Sequence, residues 1–149
     1  MTNTPSEKIY ATCVEVEGLG VLLRGPAGSG KSDLALRLID SGEQLVADDY
    51  TALCVEEGKL IACAPETIAG LMEVRGVGVL KIDGAVKTEV GVVIDLTPSG
   101  QVERLPEDET VEILDTPVPC FRLAPFEASA PARVRLVVRR VKGDIKHVL

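Results

Sequence analysis

Residues 25–32 read Gly25-Pro26-Ala27-Gly28-Ser29-Gly30-Lys31-Ser32, an octapeptide that satisfies G-x-x-x-x-G-K-[ST] in full. Upstream, residues 20–24 (GVLLR) form a short apolar run that predicts a strand. Downstream, residues 33–40 (DLALRLID) repeat apolar side chains at helical spacing, with Leu34, Ala35, Leu38 and Ile39 on one face and Ser41-Gly42 as a stop. Residues 44–47 (QLVA) then predict a second strand. A helical crossover of this length suits two parallel strands, so the first fifty residues predict one βαβ unit with the octapeptide at its first turn. The glycines let backbone N–H groups turn inward around phosphate oxygens, and the helix N-terminus adds partial positive charge. Lys31 is expected on the β- and γ-phosphates of ATP, and Ser32 on Mg²⁺. A turn that merely joined strand to helix would need neither a lysine nor the hydroxyl after it.

The rest of the chain changes character. ALCV and LIAC flank EEGK over residues 52–63, which predicts a hairpin with Gly58 in its turn. Further strands are expected at 77–82 and 90–96, while residues 67–72 are too short to assign. Residues 96–108, with Pro98, Gly100 and Pro106, predict an exposed loop, and Pro117-Val118-Pro119 an extended stretch. Val134, Val137, Val138 and Val141 recur at i, i+3, i+4, i+7 and predict a closing helix.

At 149 residues the chain suits one domain, 1–149. A net charge of −7 argues against a protein that grips nucleic-acid phosphates, since that affinity comes from clustered Lys and Arg. The basic cluster at 133–142 reads as a local docking patch or, more simply, as a solvated helix face. Cys13, Cys54, Cys63 and Cys120 form no C-x-x-C pair, which favours reduced thiols over a zinc site or disulfides. The polar start MTNTPSEK has no apolar signal core and no segment is long enough to span a membrane, so a cytoplasmic setting is expected.

Two further clusters carry chemistry. Asp48-Asp49 follows the second strand, where ligands gather in open α/β sheets. Neighbours on an extended chain point oppositely, so one carboxylate is expected at the transferring phosphoryl group and the other on metal, water or a nearby loop. A carboxylate there can take the proton of an attacking hydroxyl. Glu73-Val-Arg75-Gly-Val-Gly78 combines acid, base and glycines; alternation puts Glu73 and Arg75 on one side, as a metal carboxylate beside a phosphate-binding arginine or as a plain surface ion pair.

GPAGSGKS, LVADD and LMEVRGVGVLKID, in this order and separation, resemble the catalytic domain of HPr kinase/phosphorylase over nearly the whole chain. The resemblance is to the short bacterial form without the family's N-terminal domain. It implies an α/β P-loop-containing kinase domain with a mixed sheet, in which the βαβ unit precedes hairpin-rich strands and a C-terminal helix. It also implies ATP and Mg²⁺ as cofactors, a serine of an HPr-like phosphocarrier of the phosphotransferase system as acceptor, reverse phosphorolysis in many members, and a homo-oligomer, commonly a hexamer.

By the same resemblance Gly25 to Ser32 bind the nucleotide, Lys31 acts on phosphate, and Ser32 and Glu73 hold the metal. Asp48 is the catalytic base, Asp49 completes its motif, and Arg75 lies in the segment used in both directions. Arg104 either matches a catalytic arginine or is an exposed loop residue. Two departures stand out. Tyr10 occupies the place of the family's active-site histidine, and a phenol does not titrate near neutral pH as an imidazole does. The proline, glycine and arginine signature for phosphorolysis is not evident at 125–133, so kinase activity is the expected direction. A small-molecule P-loop kinase and a nucleotide-sensing module are the competing readings.

Overall fold

The computed structural model describes residues 6–148. Residues 1–5 of the polar start lie outside them. In chain order the elements are β1 (Ser6–Tyr10), β2 (Thr12–Val16), β3 (Leu19–Arg24), α1 (Lys31–Asp40), β4 (Gln44–Ala47), β5 (Tyr50–Glu56), β6 (Lys59–Cys63), β7 (Leu71–Val74), β8 (Gly78–Lys81), β9 (Lys87–Leu96), β10 (Glu109–Ile113), β11 (Thr116–Leu123) and α2 (Ala130–Lys142). The fold is mixed α/β, with a large curled sheet and a C-terminal helix.

The expected βαβ unit is present with one addition. β3 and β4 are parallel to each other, but β2 lies between them and pairs antiparallel with both. The sequence around β2 (TCVEV) offers only five residues of alternation, too little to set its place in the sheet. Parallel pairing of β3 is instead with β9, through Leu23↔Ile94 and Arg24↔Asp95.

Strand alternation divides the core into two sides. Val14, Val16, Val21, Leu23, Val92 and Ile94 face α1 and α2, whose buried residues include Leu34, Leu38, Val134 and Val138. Cys13, Leu22 and Val93 face the other way, onto Leu53, Leu60, Ile113 and Val118. Both valine and leucine stripes thus do what their spacing predicts. Burying each such side chain stabilises by about 1.5–3 kcal/mol relative to exposure.

β9 is ten residues long and serves two neighbourhoods. Its first residues pair antiparallel with β6, while its later ones run parallel to β3 and β11. A register shift between Gly20 and Val21 marks the change, and Leu19 fills the space that a side chain on Gly91 would need. A bulge of this kind bends the sheet and reverses which face successive residues present.

The 52–63 hairpin forms as expected, with Leu53↔Ala62 and Val55↔Leu60 in register. β10 and β11 form a second hairpin that the turn signals did not reveal, since Pro117 and Pro119 argue against a ladder strand. β7 and β8 form a separate two-stranded ribbon. The basic residues of α2 are neither free nor simply solvated. Arg133 pairs with Glu127, Arg135 with Glu43, Arg139 with Glu17 and Arg140 with Asp108, so the helix is tied to four other parts of the chain. All four cysteines are free, with Cys13 buried.

Candidate functional site

β3 ends at Arg24 and the octapeptide turns directly into α1. Gly28 and Gly30 adopt φ of 81° and 102°, a left-handed conformation that side chains resist. The Ser29 N–H donates to the Pro26 carbonyl at 3.0 Å, and the Leu34 N–H to the Gly30 carbonyl at 2.9 Å, which starts the helix. The loop therefore curls over the N-terminus of a ten-residue helix, where unpaired backbone N–H groups and the helix dipole favour an anion.

Lys31 is 4% exposed. Its ammonium donates to the carbonyls of Gly25 at 2.7 Å and Pro26 at 3.2 Å, and it lies 4.0 Å from the centre of the Tyr10 ring. Among the described residues it has no carboxylate partner. A cation this buried normally requires one. The Ser29 hydroxyl is likewise shut away from solvent without a hydrogen-bond partner among the described residues, against the place where a Cβ on Gly25 would strike it. A buried ammonium without an anion and an orphaned hydroxyl on one glycine loop fit a phosphate chain.

Asp48 and Asp49 follow β4, but not as an extended pair. Asp49 has φ of 64°, and the Tyr50 N–H donates back to the Asp48 carbonyl at 2.7 Å, so the chain turns sharply between β4 and β5. The two carboxylates separate completely. Asp48 is buried, and its Oδ1 accepts the Ser32 hydroxyl at 2.7 Å and the Thr12 hydroxyl at 3.2 Å. Asp49 is exposed and lines the cavity above the loop. Thr12 secures the turn from below, because its oxygen also accepts the Asp49 N–H at 3.1 Å.

The two carboxylates therefore have different surroundings. Burial pushes the Asp48 carboxyl above the ordinary range, the Ser32 bond opposes that, and the charge of Asp49 adds to it. A raised pKa alone would favour Asp48 as a base. Geometry comes first, however, and its Oδ1 already holds two hydroxyl protons. Asp48 orients Ser32; Asp49 is the carboxylate that a ligand in the cavity can meet.

The cavity has a volume of about 940 Å³, large enough for a nucleoside triphosphate. It is lined by Ala27, Gly28, Gly30, Lys31 and Ser32 of the loop together with Tyr10, Asp49, Glu73 and Arg75. Arg75 falls beyond the end of β7, in a turn closed by the Val77 N–H on the Val74 carbonyl at 2.9 Å, so strand alternation does not govern its direction. Both residues still line the cavity. Among the described residues no group of three or more His, Cys, Asp or Glu is gathered as a metal site.

Arg104 does not join this set. It is exposed on the loop after β9 and does not line the cavity. Two residues escaped sequence reasoning. Thr12 belongs to a strand whose neighbours are set by tertiary pairing, and no local motif marks it. Phe126, which lines the cavity beside Gly30, lies in residues 125–133, where the chain departs from the resemblance, and that departure was its only signal.

Among the described residues no helix is long and apolar enough to cross a membrane. The HPr kinase/phosphorylase of a Geobacillus species is 43% identical over 75% of this chain and 40% of its own length. That of Geobacillus kaustophilus is 41% identical over 77% of this chain and 41% of its own. The chain spans about two fifths of the length of these curated relatives. The solved structure of the Hpr(Ser) kinase/phosphatase from Coxiella burnetii is 28% identical and superposes with a TM-score of 0.78, covering 93% of this chain and 92% of that one. The family description "HPr Serine kinase C-terminal domain" matches residues 2–134, and the glycine loop, the Asp48-Asp49 turn and the Glu73–Arg75 segment all fall inside it: the chain belongs to the HPr serine kinase C-terminal domain family.

Proposed function

We propose that this chain is a single kinase domain that transfers the γ-phosphoryl group of ATP to a serine hydroxyl of an HPr-type phosphocarrier. The observation that carries this reading is the buried Lys31 ammonium, held among carbonyls with no carboxylate partner among the described residues, beside the orphaned Ser29 hydroxyl. The loop at 25–32 would hold the triphosphate, with Ser32 and Glu73 on Mg²⁺. When bound, the ion supplies positive charge against the phosphate oxygens.

Asp49 accepts the proton of the serine hydroxyl as its oxygen bonds to phosphorus, and the bond from phosphorus to the ADP oxygen breaks. Asp48 keeps the Ser32 hydroxyl aimed by accepting its proton. Lys31, swinging from the Gly25 and Pro26 carbonyls, and Arg75 neutralise charge on the transferring group. The Tyr10 ring lies against the lysine ammonium. Arg104 has no part in this set within one protomer. A homo-oligomer belongs to the same reading, supported by the exposed apolar side chains of Val77, Val79 and Leu80 at the β8 ribbon, and sedimentation would test it.

The test is incubation with γ-labelled ATP, Mg²⁺ and a purified HPr-type protein, with Lys31→Ala as control. Label on a carrier serine, lost by orders of magnitude in the variant, supports the reading. Transfer only to a metabolite would favour a small-molecule kinase. Tight nucleotide binding with no transfer would favour a sensing module.

A further inference from the structure

Phe126 is 67% exposed, an unusual position for one of only two phenylalanines in the chain. Its ring packs on Gly30 so closely that a Cβ there would stand 2.9 Å from the ring edge. The segment carrying it is fastened. Arg37 of α1 donates to the carbonyls on both sides of Phe126, that of Pro125 and, at 3.2 Å, that of Glu127. Glu127 in turn accepts the Ser99 hydroxyl at 2.7 Å and pairs with Arg133 at 2.8 Å. The backbone is held from several directions while the ring is left in the open cavity.

Of the two rings lining the cavity, Tyr10 is already engaged, with Lys31 beneath it and Tyr50 beside it at 5.3 Å between ring centres. Phe126 has no ring or cation partner among the described residues. The two also mark different flanks of the loop. The Lys31 ammonium is turned towards Gly25, Pro26 and Tyr10. Phe126 lies against Gly30, with the carbonyls on either side of it held by Arg37 of α1, and its ring lines the same cavity.

We propose that Phe126 is the platform on which the base of the donor nucleotide stacks. This rests on the reading of residues 25–32 as an ATP site. A flat apolar face accepts any base, so the platform favours nucleotides over base-free polyphosphates without reading the base edge. It also explains why the position carries a large ring where the loop itself demands glycine.

The chain has no tryptophan, so Phe126→Trp places a single reporter in the cavity. Calorimetry with MgATP and with magnesium tripolyphosphate measures the wild type, Phe126→Ala and Phe126→Trp. The proposal expects Phe126→Ala to bind MgATP about tenfold more weakly, with tripolyphosphate unchanged, and Phe126→Trp to restore ATP affinity. Tryptophan emission should be quenched by MgATP and not by tripolyphosphate. Equal weakening of both probes, or an unquenched tryptophan while calorimetry records ATP binding, would overturn the stacking role and leave the ATP site standing. Quenching by an HPr-type protein but not by ATP would assign the ring to the protein substrate and also overturn it. Failure of the wild type to bind either probe would remove the ATP-site reading itself, and the platform with it.

Discussion

Replacing Asp48 and Asp49 separately by asparagine separates the two roles proposed for them. Asp49 is exposed and sits at φ of 64°, a conformation that asparagine tolerates as well as aspartate. Asp49→Asn should therefore change stability by no more than about 0.5 kcal/mol. Its loss as general base should lower kcat by roughly 10²- to 10⁴-fold.

Asp48→Asn should behave differently. The amide oxygen can still accept the Ser32 and Thr12 hydroxyls, so the hydrogen bonds at 2.7 and 3.2 Å survive in neutral form. Each loses the charge-assisted part, about 1 kcal/mol. Against this, the variant no longer buries a charge beside Asp49, and the net change should stay within about 1 kcal/mol near neutral pH. The sign with pH is fixed by burial, which raises the folded carboxyl. The native chain binds the proton more tightly than the unfolded one, so wild-type stability falls as pH rises from about 4 through the folded pKa. Asp48→Asn lacks that fall, and its stability relative to wild type should improve as pH climbs. Urea unfolding at about pH 4 and pH 8 reads this, and label transfer to the carrier over a Mg²⁺ series reads the activity. Asp48→Asn should demand more Mg²⁺ and keep measurable turnover when saturated. Near-wild-type kcat in Asp49→Asn, with Asp48→Asn dead at saturating Mg²⁺, would refute the assignment and return the base to Asp48.

Tyr10→Phe keeps the ring under which Lys31 lies at 4.0 Å and should retain most activity, whereas Tyr10→Leu should lose several-fold in kcat/KM, since such contacts are worth about 0.5–2 kcal/mol. A steady-state comparison of the two variants checks it. Gly84→Ala should destabilise by more than about 2 kcal/mol in urea unfolding, because its Cβ would run into the Leu45 carbonyl, a backbone atom that also accepts the Ala85 N–H at 3.0 Å. Asp95→Asn should cost about 1 kcal/mol. Burial alone would raise this carboxyl, but Arg24, at 2.8 and 3.0 Å, holds it below the ordinary range. Its contribution is present above the unfolded pKa of about 4 and lost as pH falls through the lower folded value, so wild type and variant should converge in acid unfolding.

What was legible in the sequence was whatever a single element carries within itself. The strand, loop and helix around residues 20–40 announce themselves because the glycines, Lys31 and the leucine spacing all act locally. α2 is legible for the same reason, through its valines, although Ala130–Lys142 also carries the arginines whose partners are distant in sequence. β2 was not legible, and its insertion between β3 and β4 depends on pairings made by the whole sheet. The site follows the same rule. That Lys31, Ser32, Glu73 and Arg75 line one cavity could be read from motifs, but the separation of Asp48 from Asp49 could not, since alternation assumes an extended chain and Asp49 is left-handed. Thr12 and Phe126 reach the site only through tertiary packing.

The most direct test of the phosphoryl-transfer site is a crystal structure with Mg²⁺ and a non-hydrolysable ATP analogue. The account predicts the triphosphate inside the loop at 25–32, the Lys31 ammonium moved from the Gly25 and Pro26 carbonyls onto phosphate oxygens, and the Asp49 carboxylate facing the γ-phosphorus. Phosphates bound elsewhere, with Lys31 still on those carbonyls and Asp49 turned to bulk water, would contradict it.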